Sequence, residues 1–193
     1  MKSIRVAVAA AAAAVALSAC SSPMQAGAAA VVGSERISMS KLHDDTQEYI
    51  AALKRANLDE SALSVPVSQA VLRRLVDVAA SKQLMARYNV QVTESEVDAT
   101  LKDPGQYESA EINLLANAVS PADARDYGRA MTGLRKLQEQ FGQSGQQRLL
   151  DEFNSVKRVI NPRFGKLNTD QSQPGLFVDA GRFGKAGEQA AQG

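Results

Sequence analysis

Cys20 and His43, the only cysteine and the only histidine in this 193-residue chain, are the side chains whose types could support covalent or metal chemistry. Cys20 stands directly behind Leu17-Ser18-Ala19, at the end of an apolar run that opens after Lys2 and Arg5. Small residues before a cysteine suit signal cleavage, and a lone cysteine in an exported chain has no partner for an intramolecular disulfide. Such a cysteine is either a chance free thiol or a modification site, and its place at the cleavage boundary favours modification, so Cys20 is the expected lipidation site. His43 precedes Asp44 and Asp45, but neighbouring positions on a helix point in different directions, and neither histidine nor cysteine occurs twice to complete a zinc site. A surface histidine and no metal site are expected.

Other chemistry finds no residues to carry it. The remaining Asp and Glu fall on predicted solvent faces, so no general acid/base pair can be picked out. No Gly-rich loop has phosphate-binding spacing, and no Gly-x-Ser-x-Gly elbow is present. The expectation is a protein without catalytic residues, cofactor or small-molecule substrate. A different kind of site is suggested by a methionine and aromatic stripe: Tyr49, Met85, Tyr88, Tyr127, Met131, Phe141 and Phe153. Flexible methionines suit promiscuous apolar recognition. Helical spacing by itself puts any one of these residues in a core, and that reading is favoured residue by residue. Met85, Tyr88, Tyr127, Met131 and Phe141 are the candidate contacts for a polypeptide client.

The elements that must position them follow the leader. Val6 to Ala19 is apolar apart from Ser18, but at about 14 residues it falls short of the roughly 20 of a spanning helix. Together with Cys20 it resembles a bacterial lipoprotein signal. That resemblance implies a leader over residues 1–19, a membrane-anchored protein on the extracytoplasmic face, and two buried acyl chains at about 0.8 kcal/mol per CH₂. The leader takes Lys2 and Arg5 and no acidic residue, moving the net charge from +1 to −1. A near-neutral chain without tryptophan offers neither a basic surface nor a stacking platform for nucleic acid.

Residues 20–28 read as a flexible tether, 29–165 as one domain and 166–193 as a disordered tail whose only apolar knot is Leu176-Phe177-Val178. Within the domain, Ala29 to Val32 reads as a buried strand, Gly33 to Arg36 as a turn, and Ile37-Ser38-Met39 as a second short strand or the approach to a helix. Apolar spacings of three and four predict helices to about Ala56, from Pro66 to near Asn89, over Ser109 to Val119, and from Ser120-Pro121 to Phe141. Thr93-x-x-Glu96 is a capping box for a short helix through Leu101. A last helical stretch runs from Gln147 to about Ser155, before an extended segment, Val156 to Ile160. That segment and Ala29 to Val32 are short and apolar with no long neighbour in sequence, so their backbone groups call for pairing with each other. The fold class is mainly α with a small two-strand sheet that closes the domain from both ends.

The order of these segments resembles the N-terminal domain of the SurA family of extracytoplasmic chaperones. The residues that carry it are Ala30-Val31-Val32-Gly33 with Ile37 and Leu42, the passage Leu84 to Val97 with its capping box, and Val159-Ile160-Asn161-Pro162-Arg163-Phe164-Gly165; it covers roughly 29–165. The resemblance implies a helical module that binds unfolded or partly folded exported proteins without ATP. Members usually add parvulin-type prolyl isomerase domains of roughly 90 residues with paired histidines. About 28 residues follow Gly165 here and His43 stands alone, so no isomerase activity is expected. The alternative is an envelope scaffold or adaptor that holds one specific partner.

Overall fold

A computed structural model of the chain describes residues 26–60, 63, 65–168 and 177–178. Cys20, the leader and Leu176 lie outside these residues. Among the described residues are six helices, of which α1 and α2 pack on a short sheet: α1 Met39–Arg55, α2 Val67–Arg87, α3 Glu94–Lys102, α4 Ala110–Ala116, α5 Ala124–Gln140 and α6 Gly145–Ser155. The strands are β1 Ala28–Val32, β2 Glu35–Ser38, β3 Arg158–Ile160, β4 Lys166–Leu167 and β5 Phe177–Val178.

The sheet has strand order β2-β1-β3, all antiparallel, so the pairing expected from the two chain ends acquires a third strand. Ala30 lies opposite both Ile37 and Ile160, and Val32 opposite Glu35 and Arg158. Gly33, at φ +53, makes the tight β1–β2 turn in a conformation that strains any residue with a Cβ. A Cβ there would also lie 1.8 Å from Gln83 Oε1, in the space from which the Gln83 amide donates to the Val32 carbonyl.

Local chemistry starts the helices. The Ser38 hydroxyl accepts from the Lys41 N–H at 3.0 Å and caps α1, so Ile37-Ser38 both ends a strand and opens a helix. Thr93 and Glu96 close the reciprocal capping box on α3. Ser109 caps α4, which stops at Ala116 rather than running on to Val119, because Ala118 sits at φ +54 outside helical geometry. Residues Gly142–Ser144 form a short 3₁₀ turn that joins α5 to α6.

The largest helix, α2, runs through the middle of the molecule. Leu72, Val76 and Leu84 on α2 are fully buried, as are Tyr49 of α1, Val32 of β1 and Leu137 of α5. The Tyr49 hydroxyl donates to the Leu115 carbonyl at 2.5 Å, so this buried phenol is satisfied and ties α1 to α4. Residues after Gly165, expected as a disordered tail, include a second pair of strands: β4 lies antiparallel to β5, and Phe177 packs against the main core beside Phe164 and Leu167. Of the apolar knot, Phe177 docks, because its ring finds a partly buried place there.

Candidate functional site

The five candidate contacts separate into buried and accessible groups. Met85, near the end of α2, is 8% exposed and packs into the core. Tyr127 is equally covered, with its ring under the Arg74 guanidinium at 5.0 Å from the centroid, and burial pushes its phenol pKa upward. The helical stripe that made them conspicuous turns both largely inward, and Tyr127 keeps a place in the lining of the cleft beside Met131. Tyr88 and Phe141 are half-buried and meet edge-to-face, with centroids 5.0 Å apart and planes at 78°. The Arg148 guanidinium covers this pair, 4.4 Å from the Phe141 centroid and 6.0 Å from that of Tyr88. Their aromatic faces are thus largely spoken for by α6.

Met131 is different: 41% of it is exposed, on the side of α5 that faces α3 and α4. It borders two adjoining clefts. One, of about 310 Å³, is lined by Thr100, Leu101, Ala110, Leu114, Tyr127 and Met131, with Asp103 and two asparagines at its rim. The other, of about 420 Å³, is lined by Ala99, Thr100, Met131, Thr132, Asp103 and Arg135.

The walls of these clefts are held by close helix packing. Val97 of α3 is fully buried, and Gly128 of α5 lets Leu101 approach to where a Cβ would stand only 3.0 Å from its side chain. The Thr100 and Thr132 hydroxyls share a hydrogen bond of 2.7 Å beneath the clefts. On the outer side, Glu94 pairs with Arg125 and Arg129, Asp98 with Arg125 at 2.8 Å, and Glu96 with Lys136 at 2.6 Å. The Lys136 hydrogen bond, with those of the capping box, holds the Glu96 carboxyl down at about 2. Such exposed pairs add little energy one by one but fix the rotation of α3 against α5.

Buried carboxylates are the feature that reading the acids as solvent-facing misses. Lys41 Nζ lies 2.7 Å from Asp123 Oδ1 and 2.9 Å from Asp45 Oδ2, and both aspartates are buried. The Ser120 hydroxyl donates to Asp123 at 3.0 Å, whereas Asp45 Oδ2 has its ion contact but no well-aimed hydrogen bond. Burial raises the Asp45 carboxyl to about 6, against the pull of Lys41 and with help from the neighbouring Asp123. Burial lowers the Lys41 ammonium, but the two carboxylates outweigh it and hold its pKa above the ordinary value. The signal was present in spacing: Leu42, Asp45, Thr46, Tyr49 and Leu53 share the inward face of α1. One lysine between two carboxylates is an interhelical clamp between α1 and the start of α5. His43 is exposed. Among the described residues no three His, Cys, Asp or Glu side chains gather as metal ligands, and no helix is long and apolar enough to cross a membrane.

This architecture, a helical domain closed by a sheet that joins its first strand to a late one, defines a class that the family comparison makes specific. The family model described as SurA-like N-terminal domain matches residues 1–111, and the chain belongs to that family, which is of chaperone type. The match ends inside α4, so α5, α6, β3 and the Asn-Pro-Arg-Phe-Gly segment lie beyond it. No curated protein and no solved structure matches the chain.

Proposed function

We propose that the chain is a lipid-anchored, extracytoplasmic holdase that binds unfolded or partly folded exported proteins without ATP and without prolyl isomerisation. The observation that carries this reading is the accessible Met131 at the junction of two clefts, in a domain of a chaperone-type family. A pliable thioether over a mixed apolar and polar cleft suits many side chains and selects none strongly. Ordering a flexible client offsets much of the burial, so binding is micromolar in character and broad. Anchoring through acylated Cys20 keeps the domain beside emerging clients.

The test is suppression of aggregation. Stoichiometric protein, without ATP, slows aggregation of several unrelated unfolded envelope proteins and leaves the cis/trans relaxation of an X-Pro peptide at its uncatalysed rate. Acceleration of that relaxation overturns the non-enzymatic part. Failure with every client but one replaces the holdase by the single-partner adaptor.

A further inference from the structure

We propose that the open edge of β3, with the cleft beside it, is a strand-capture site for an extended polypeptide segment that is apolar in the middle and acidic at its ends. This rests on the holdase reading and assigns it a second, backbone-directed site remote from Met131.

The hydrogen-bond parity of β3 exposes its edge. The Gly33 N–H donates to the Lys157 carbonyl at 2.8 Å, and the Asn161 N–H donates to the Ala29 carbonyl at 2.9 Å. Residues 157, 159 and 161 therefore turn their backbone groups toward β1, and the intervening Arg158 and Ile160 turn theirs away from the sheet. No described residue pairs with these outward N–H and C=O groups. An unpaired edge of this kind accepts another strand, which gains affinity from main-chain hydrogen bonds and specificity from pockets for alternate side chains.

The adjoining cleft supplies the pocket. It measures about 490 Å³ and is lined by Val156, Lys157, Arg158, Ile160, Lys166 and Leu167 among others. Ile160 and Leu167 pack on the main core, giving it an apolar floor. Lys166 is an exposed cation on its wall, Arg158 adds a second positive charge that Asp77 offsets only in part, and no carboxylate lines the cleft among the described residues, so acidic residues on the occupant are favoured. Arg158 is anchored in place by donating to the Phe153 carbonyl at 2.6 Å and stacking 4.5 Å above the Phe153 ring. The chain also provides an example of such an occupant on the strand that borders the cleft. The segment that pairs with β4 is Phe177-Val178, which the sequence places between Leu176 and Asp179, an apolar triplet ending in an acid.

The probe is a fluorescent seven-residue peptide with aspartate at both ends and alternating valine, threonine and phenylalanine between. It is compared with the same peptide N-methylated on alternate residues and with a version carrying lysine ends. With the full-length protein, the aspartate peptide slows hydrogen exchange at the Arg158 and Ile160 amides. N-methylation or lysine ends weaken its binding about tenfold, since the first removes main-chain donors and the second the charge match. Ile160→Pro removes one outward N–H at an edge position where proline is tolerated, and weakens the peptide more than Ile160→Ala, which loses only packing. The methylated peptide keeps the test valid if the proline variant fails to fold. Binding that leaves the Arg158 and Ile160 amides unprotected, equal binding of the methylated peptide, or no binding overturns the proposal. Aggregation suppressed equally by wild type and Ile160→Pro overturns this site and leaves the holdase reading standing. No suppression by the wild-type protein removes that reading itself.

Discussion

Met85 of α2 fills the space that a side chain on Gly133 of α5 would need: a Cβ built there stands 2.3 Å from the Met85 sulfur and 2.7 Å from its Cγ. Both residues are buried, so the thioether has little room to retreat. The glycine is what allows the two central helices to close on each other.

Gly133→Ala therefore destabilises the protein, by about 1–2 kcal/mol once the helix-propensity gain of alanine is set against the overpacking. Met85→Ala removes most of a buried side chain and costs about 2–4 kcal/mol. The two changes complement each other, since the shortened residue 85 leaves room for the new methyl. Denaturant unfolding of both singles and the double variant should give a double-variant loss smaller than the sum by about 1 kcal/mol or more. Strict additivity would show that the contact carries no energy.

Asp45 makes stability depend on pH in an unusual direction. Its carboxyl titrates at about 6 in the folded state against 3.8 as a free group, so between these values the folded protein binds more protons than the unfolded chain. The stability contributed by this group is complete below pH 3.8 and is lost as pH rises through about 6. Glu96, held at about 2, works oppositely and contributes stability that is lost as pH falls below 4.5. Asp45→Asn mimics the protonated form while Lys41 keeps Asp123. Its stability relative to wild type should rise from pH 4 to pH 7, measured by unfolding at each pH. A flat difference would refute the assignment.

Closure by β3 should show in two truncations. Ending the chain at Ser155 removes the strand that pairs with Ala30 to Val32 and the buried Val156, along with Ile160, Phe164 and Leu167 packed on the core. The loss is comparable with the total stability of a domain, about 5 kcal/mol or more, and leaves a chain without cooperative unfolding. Ending it at Asn168 forfeits the β4–β5 pair and the half-buried Phe177 ring, about 1 kcal/mol. Equal midpoints for the two truncated proteins would refute the arrangement.

The terminal pairing was legible because two short apolar segments leave backbone groups that call for a partner, and although β2 takes one edge of β1, the other edge is left for β3. Thr93 with Glu96, and Pro66 before α2, announced helix starts for equally local reasons. Features that depend on distant neighbours were not legible in this way. Asp45 follows exposed Asp44 and pairs with Lys41 one turn before it, but the second carboxylate on that lysine comes from Asp123, 78 positions on, which the spacing within α1 does not announce. Met85 and Met131 looked alike in sequence, and the opposing helix decides between them: Gly133 admits the first, while the gap between α3 and α4 leaves the second open. Phe177 docks on a surface assembled from β4 and the core, which its Gly- and Gln-rich surroundings do not announce.

Cys20 carries the anchor in the proposed function, and in sequence it precedes the first strand, Ala28–Val32. Cys20→Ala should abolish labelling by a fatty-acid probe and move the protein to the soluble fraction or leave an uncleaved precursor. The unfolding midpoint of the domain should stay unchanged. Persistent labelling of the variant would remove Cys20 as the acylated residue.

Met131 offers the sharpest separation of binding from stability. Its side chain is 41% exposed and borders both clefts, so a polar replacement leaves the core intact and shifts stability by no more than about 0.5 kcal/mol. A client segment buried against it loses apolar contact when residue 131 becomes glutamine. Glutamate adds repulsion of acidic clients beside the Asp103 already on the rim. The expected order of aggregation suppression is wild type, then Met131→Gln, then Met131→Glu, with unfolding midpoints that nearly coincide. Met85→Ala gives the opposite signature, a clear loss of stability with suppression retained wherever the variant remains folded. Undiminished suppression by Met131→Glu would show that clients do not use the clefts between α3, α4 and α5.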